Sequence, residues 1–177
     1  MNTHDSAAPE AEVTTDPAAR DKVFDLVADA RIAMMASLGE GGRWHARPMA
    51  TGKEPLEGAL WFLTDARSGK IEELEQEPTV LLTYSDEDKQ HYVSISGTAT
   101  ISRERDKIHA LWSEPARIWF PDGPDDPSIA LIRVELEVAE YWDAPSSTMV
   151  HLYGYAKMMV TGEPPNEVAE NKTVVFR

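Results

Sequence analysis

The chain has 177 residues, 42% of them hydrophobic, no cysteine, and a formal net charge of -14. That length and apolar content fit one soluble globular domain with a full core, and the lack of cysteine excludes a disulfide framework and thiolate metal sites. The acidic balance argues against nucleic acid and anionic membrane surfaces as partners.

No stretch is apolar for long enough to span a bilayer, and no basic segment followed by an apolar run opens the sequence. Both point to the cytoplasm. Residues 1–16 are rich in Ala, Thr, Glu, Asp and Pro without an apolar period, and read as a disordered tail. Asp16-Pro17 then has the form of an N-cap followed by proline in the first helical position. Val23, Phe24, Leu26, Val27 and Ala30 supply the apolar stripe of that helix. Residues 31–38 read as a strand and 39–42 as a hairpin turn.

The next strand, Trp44 to Thr51, alternates His45, Arg47, Met49 and Thr51 on one face with Trp44, Ala46, Pro48 and Ala50 on the other. Arg47 therefore belongs to a mixed polar face. Pro48 removes a ladder donor, which suits an edge or a barrel rim. A loop through Gly52, Pro55 and Gly58 leads to Leu60–Leu63, apolar and aromatic as a buried strand is. Thr64 and Asp65 are turn and cap residue types. From Ser68 the pattern turns helical: Ile71 and Leu74 share one face, Glu72, Glu73, Glu75 and Gln76 cover the other, and Pro78 ends it.

Strands follow at 80–85 and 91–102. The second alternates Tyr92, Ser94, Ser96, Thr98 and Thr100 against Val93, Ile95, Ala99 and Ile101, and Gly97 marks a bulge or bend. Residues 103–112 and 115–120 read as helices and 121–127 as a loop. Three aspartates in that loop, Asp122, Asp125 and Asp126, raise a calcium reading, but prolines separate them and the spacing is not that of an EF-hand; no metal site is expected. Residues 129–142 form a long strand with Ile132, Val134, Leu136 and Val138 inward and Arg133, Glu135 and Glu137 outward. A short helix is expected near 150–159. Six or so antiparallel strands with few helices between them indicate a small barrel, since a parallel sheet needs a helix after nearly every strand.

One place in this chain carries a chemical signal. A helix N-terminus presents unpaired N–H groups and a partial positive charge, so anions settle there. Ser68 adds a hydroxyl, Arg67 and Lys70 add cations, and a glutamate run follows. That is the reverse of what the helix dipole favours, and a bound anion in the first turn accounts for it. With Arg47 one strand earlier, these groups form a candidate phosphate grip. The plain alternative is a capped surface helix with stray cations.

In order along the chain, Arg47-Pro48-Met49, then Phe62-Leu63-Thr64-Asp65-Ala66-Arg67-Ser68-Gly69-Lys70, then Glu140-Tyr141-Trp142 resemble the pyridoxamine 5'-phosphate oxidase-like flavoproteins. Trp119-Phe120-Pro121-Asp122-Gly123-Pro124 and Ala139 to Asp143 resemble their bacterial general stress protein branch. The resemblance covers roughly residues 20 to 160. It implies a mainly β, six-stranded antiparallel split barrel over residues 17–162, a C-terminal extension over 163–177, and a homodimer with FMN at its interface. It implies that Arg47 and Lys70 pair with the FMN phosphate, and that Ser68 and Thr64 hydrogen-bond the phosphate or the ribityl chain. The backbone around Pro48 and Met49 would contact the isoalloxazine, with Phe62, Leu63 and Gly69 belonging to the same motifs. Trp142 would lie near the flavin from the other subunit, and Trp119 could cover the ring.

The match has departures. The vitamin B6 oxidases resemble Ser-Arg-Lys at the gripping turn, where this chain has Ser68-Gly69-Lys70, so Arg67 could take over the missing cation. They also carry an arginine and a histidine soon after the tryptophan, where this chain has Asp143-Ala144-Pro145-Ser146-Ser147. Oxidation of pyridoxamine phosphate itself is not expected. The reading is an FMN-dependent oxidoreductase of unassigned substrate. The alternatives are a non-catalytic flavin store or sensor, a deazaflavin F420 or haem split-barrel protein (His45, His91 or His151 offering a haem ligand), and a structural dimer.

Overall fold

A computed structural model describes residues 11–52, 57–143, 159 and 170–176. In chain order the elements are β1 (Glu12–Thr14), α1 (Pro17–Ala30), β2 (Ile32–Gly39), β3 (Arg43–Ala50), β4 (Ala59–Asp65), α2 (Gly69–Gln76), β5 (Thr79–Asp86), β6 (His91–Ser102), α3 (Arg105–Leu111), β7 (Ile129–Asp143) and β8 (Glu170–Val175). Short 3-10 turns stand at Glu40–Gly42, Glu114–Ile118 and Gly123–Asp125. Among the described residues no helix is long and apolar enough to cross a membrane.

Helix α1 starts as its sequence predicts. The Asp16 carboxylate accepts from the Ala18 N–H at 3.1 Å, and Pro17 follows without a donor to waste. It buries Ala19, Val23, Leu26 and Val27 and ends at Arg31, whose φ of 65° turns the chain into β2. Helix α2 buries Ile71 and Leu74 and stops before Pro78.

The sheet runs β1-β8-β7-β6-β5-β2-β3, with β4 attached to β7. Every pairing is antiparallel except β1 with β8. The 15-residue β7 organises the whole. β6 lies along one side of it; on the other, β4 pairs with Ile129–Glu135 and β8 with Val138–Asp143. The Gly52 N–H donates to the Trp61 carbonyl at 3.1 Å and ties the end of β3 back to β4. Strands β2 to β7 thus curl into an almost closed barrel, the six-stranded antiparallel architecture expected from the sequence.

Two strands lie where the sequence suggests none. Glu12–Thr14 falls within the expected tail, and Glu170–Val175 within the expected extension, yet β8 joins the sheet and β1 pairs with it in parallel. The pairing links residues nearly the whole chain apart, which no local pattern announces. The helix expected near 150–159 lies outside the described residues apart from Met159, as does His151.

The β6–β7 ladder contains a bulge. Ser96 pairs with Val138 and Gly97 with Leu136, so Glu137 is an extra residue on β7. Its side chain accepts from Thr98 Oγ1 at 2.6 Å. The extra residue also turns Val138 outward, 38% exposed, and corrects the expectation that it faces the core; Ala139 and Tyr141 point inward in its place. Gly97 is required here: a Cβ would run into the Glu135 carbonyl and lie 3.0 Å from Val134 Cγ1.

The barrel interior is filled by Met35, Phe62, Leu82, Ile95, Ile132 and Tyr141 among others, and α1 and α2 cap it with Val23, Val27, Ile71 and Leu74. A second, smaller cluster lies on the outer side of β4 and β7, where Trp61, Ile129 and Leu131 meet Ile108 of α3 and Phe120. This is why Ala59–Phe62 is an unbroken apolar run: both faces of β4 are covered.

Candidate phosphate-binding site

The site is built where β4 gives way to α2. The turn is set by its own backbone: Ser68 N–H donates to the Asp65 carbonyl at 3.0 Å, and Ala66 N–H to the Ser128 carbonyl at 2.7 Å. Ser68 is the N-cap residue of α2 in extended conformation, and its hydroxyl makes no capping bond. The Ile71 N–H donates to the Ser68 carbonyl at 2.9 Å; the Gly69 and Lys70 N–H groups, as in the first turn of any helix, have no partner within it, so they and the Ser68 hydroxyl are available together at this end. A Cβ on Gly69 would meet nothing within 4 Å, so the approach is open.

Burial of Ile71 and Leu74 fixes the rotation of α2 and turns Lys70 and Glu73, three residues apart, toward the barrel. The Lys70 ammonium donates to Oγ1 of the buried Thr64 at 2.8 Å. Burial lowers the Lys70 pKa, and the positive charge of Arg47 lowers it further, against the opposing pull of Asp65 and Glu73. The two cations therefore share one field although they come from different elements.

Arg47 reaches the same place from the edge strand β3, opposite Met35 of β2. Its guanidinium donates to Ser37 Oγ at 3.1 Å and to Glu73 Oε2 at 2.7 Å. Ser37, fully buried, donates to the same carboxylate oxygen at 2.8 Å. His45 Nδ1 lies 2.8 Å from the other oxygen, Glu73 Oε1. Gly39 makes room for this ring: a Cβ there would fall 2.6 Å from His45 Nδ1 and 3.3 Å from Glu73 Oε1. Partial burial would raise the Glu73 pKa, but the hydrogen bonds from His45, Arg47 and Ser37 and the charge of Arg47 outweigh it and hold it at about 2.

Arg67 does not join the cluster. It is 80% exposed and folded back on Asp65, with its Nη2 2.8 Å from Oδ2 and its Nε 3.1 Å from Oδ1. The same contacts, with the Arg67 N–H on Oδ1, bring the Asp65 pKa down to about 2. The cation that Gly69 leaves out is thus not supplied by Arg67 here.

The remaining sequence candidates fall in three places. Met49 and Phe62 are in the barrel core, and Leu63 packs against the outer cluster. Pro48 points outward from the edge strand. Trp142 lines a groove of about 460 Å³ with Ile32, Met34, Tyr84 and Tyr92, a groove that shares no residue with the Arg47–Lys70 cluster. Trp119 is 68% exposed and does not line the groove. His45 and His91 are turned to carboxylates, Glu73 and, at 2.8 Å, Asp143.

Sequence reasoning passes over Ser37 and sets Glu73 on the solvent side of α2. The signals were present. Ser37 is the polar member of an inward face with Ala33 and Met35, and Glu73 stands three residues after Lys70.

Residues 18–166 match the family described as pyridoxamine 5'-phosphate oxidase like. General stress protein 26 of Bacillus subtilis is 29% identical over 136 residues, covering 75% of this chain and 94% of that protein. Protein bli-3 of Neurospora crassa is 26% identical over 131 residues, 67% of this chain, and the match spans 63% of its length. Among solved structures, a protein of Jannaschia sp. CCS1 assigned provisionally to general stress protein 26 superposes with a TM-score of 0.74 at 27% identity, covering 90% of this chain and 99% of that one. A general stress FMN/FAD binding protein from Xanthomonas citri gives a TM-score of 0.63 at 28% identity, over 72% of this chain and 90% of its own. With the split-barrel topology, these matches place the chain in the pyridoxamine 5'-phosphate oxidase-like family.

Proposed function

We propose that this protein binds FMN and acts as a flavin-dependent oxidoreductase of the general stress protein type. The observation that carries the reading is the convergence of Arg47 from β3 and Lys70 from α2 at a helix N-terminus whose Ser68 hydroxyl is not spent on capping. A phosphomonoester suits that set: charge-assisted donors bind its oxygens strongly, and helix amides complete the shell. Thr64, already holding Lys70, stands beside it. The Xanthomonas citri relative, described as FMN/FAD binding, supports a flavin as the bearer of the phosphate.

When bound, the flavin supplies the electron or hydride transfer; the protein supplies position and electrostatics. The exposed side chains Ile32, Met34 and Tyr92, beside Trp142, are the surface a second copy would cover, with the flavin at the interface and the protein acting in the cytoplasm. True pyridoxamine 5'-phosphate oxidation is not part of the reading.

Titration of the purified protein with FMN, followed by flavin fluorescence, tests it. The expected result is saturable micromolar or tighter binding. Arg47→Ala and Lys70→Ala should each weaken it by about 1.5 kcal/mol or more, the worth of a lost hydrogen bond to a charged group. Absence of FMN binding overturns the flavin reading. Reduction of bound FMN by NADH or NADPH in steady state separates an oxidoreductase from a flavin store.

A further inference from the structure

The Glu73 carboxylate stands among the cations of the site, where it looks like a competitor for the anion. Its contacts say otherwise. Both oxygens are engaged: Oε2 by Ser37 at 2.8 Å and Arg47 at 2.7 Å, Oε1 by His45 at 2.8 Å. Arg47 is in turn held at two points, Ser37 and Glu73, on the buried side of its guanidinium. The anchor is itself fixed, since Ser37 is fully buried and the His45 ring and Glu73 Oε1 fit against Gly39 with no room for a Cβ. Arginine offers five donors on a rigid plane. Holding Nη1 on Ser37 and Nη2 on Glu73 fixes the guanidinium plane, and its charge is felt at Lys70.

We propose that Glu73 is a positioning residue for the phosphate site: with Ser37 it locks the Arg47 guanidinium beside Lys70, so that a phosphomonoester meets two preset cations. The inference rests on the reading that this cluster holds the FMN phosphate. Its benefit is preorganisation, because an arginine already immobilised loses less side-chain freedom when the anion arrives. The effect acts on the phosphate and leaves the rest of the flavin alone.

The test compares FMN with riboflavin, which lacks the phosphate, in the full-length protein and in Glu73→Gln and Ser37→Ala. Glutamine keeps an acceptor but loses the charge that grips Arg47. Immobilising one such side chain is worth about tenfold in affinity. The expected outcome is a FMN dissociation constant raised about tenfold in Glu73→Gln and by a smaller factor in the same direction in Ser37→Ala. The riboflavin constant stays within about twofold in both.

A loss of stability alone would weaken both ligands together, so the FMN-to-riboflavin ratio isolates the positioning role. Tighter FMN binding by Glu73→Gln would show a competing carboxylate and overturn the proposal, as would an unchanged ratio in both variants. If Glu73→Gln does not fold, Ser37→Ala decides alone. If the unmodified protein prefers FMN over riboflavin by nothing, the phosphate reading itself fails, which is a distinct result from a failure of Glu73 within a working site.

Discussion

Gly97→Ala is the sharpest test of the architecture. Gly97 sits opposite Leu136 at the β6–β7 bulge, and an added methyl would collide with the Glu135 carbonyl, approach Glu135 C at 3.2 Å and Val134 Cγ1 at 3.0 Å. The obstacle is backbone of the central strand, not the free end of a side chain, and β7 is held on both sides by β6, β4 and β8. Overpacking of this kind costs about 1–3 kcal/mol. The loss of glycine's freedom in the unfolded chain returns about 0.4–1 kcal/mol. The net expectation is about 1–2 kcal/mol of destabilisation, or a Tm lower by about 2–8 °C for a domain of this size. Urea denaturation with a thermal melt measures it. Gly69→Ala is the control, since a Cβ there meets nothing within 4 Å; it should lie within about 0.5 kcal/mol of the parent or above it. Equal stability of Gly97→Ala and the parent would refute the close approach, and with it the bulge register.

Two further outcomes concern the site. Glu73 has a folded pKa of about 2 against an ordinary 4.5, so the stability it contributes is complete above 4.5 and is lost as pH falls through the folded value; the integrated amount is about 3 kcal/mol. The stability difference between the parent and Glu73→Gln should therefore shrink between about pH 5 and pH 2 in urea melts, and a difference constant over that window would contradict the network. Gly69→Arg should tighten FMN binding by about 1 kcal/mol at low ionic strength and less at high salt, because the added side chain enters open space beside Lys70; an unchanged titration would place the phosphate elsewhere.

Much of this arrangement was readable from local chemistry. Ser68, the Ile71–Leu74 spacing and Pro78 define α2, and the alternation from Tyr92 to Ile101 defines β6 with its break at Gly97. What escaped depends on partners. Arg67 is a plausible phosphate cation by sequence, yet Asp65 two residues earlier captures it. Glu73 is one of several acids on α2, and only its approach to Ser37 and Arg47 from two other strands distinguishes it from Glu72 and Glu75. Val138 fits the inward alternation of β7 until the strand is counted against β6. β1 and β8 become strands by pairing with each other and with β7, so neither segment needs a strong apolar pattern of its own.

The extra residue in β7 also has a bearing on the groove. In an unbroken strand, even numbers from Ile132 to Leu136 would keep pointing inward, which would drive Trp142 into the barrel and put Tyr141 in solvent. Glu137 reverses that parity once. The Tyr141 ring is sealed in the core, and Trp142 emerges on the outer surface beside Tyr92, its cross-strand neighbour. The side of the sheet on which this indole is offered is thus decided five positions upstream, by a residue that touches neither the groove nor the phosphate site, and one strand can complete the interior with one half and furnish a binding surface with the other.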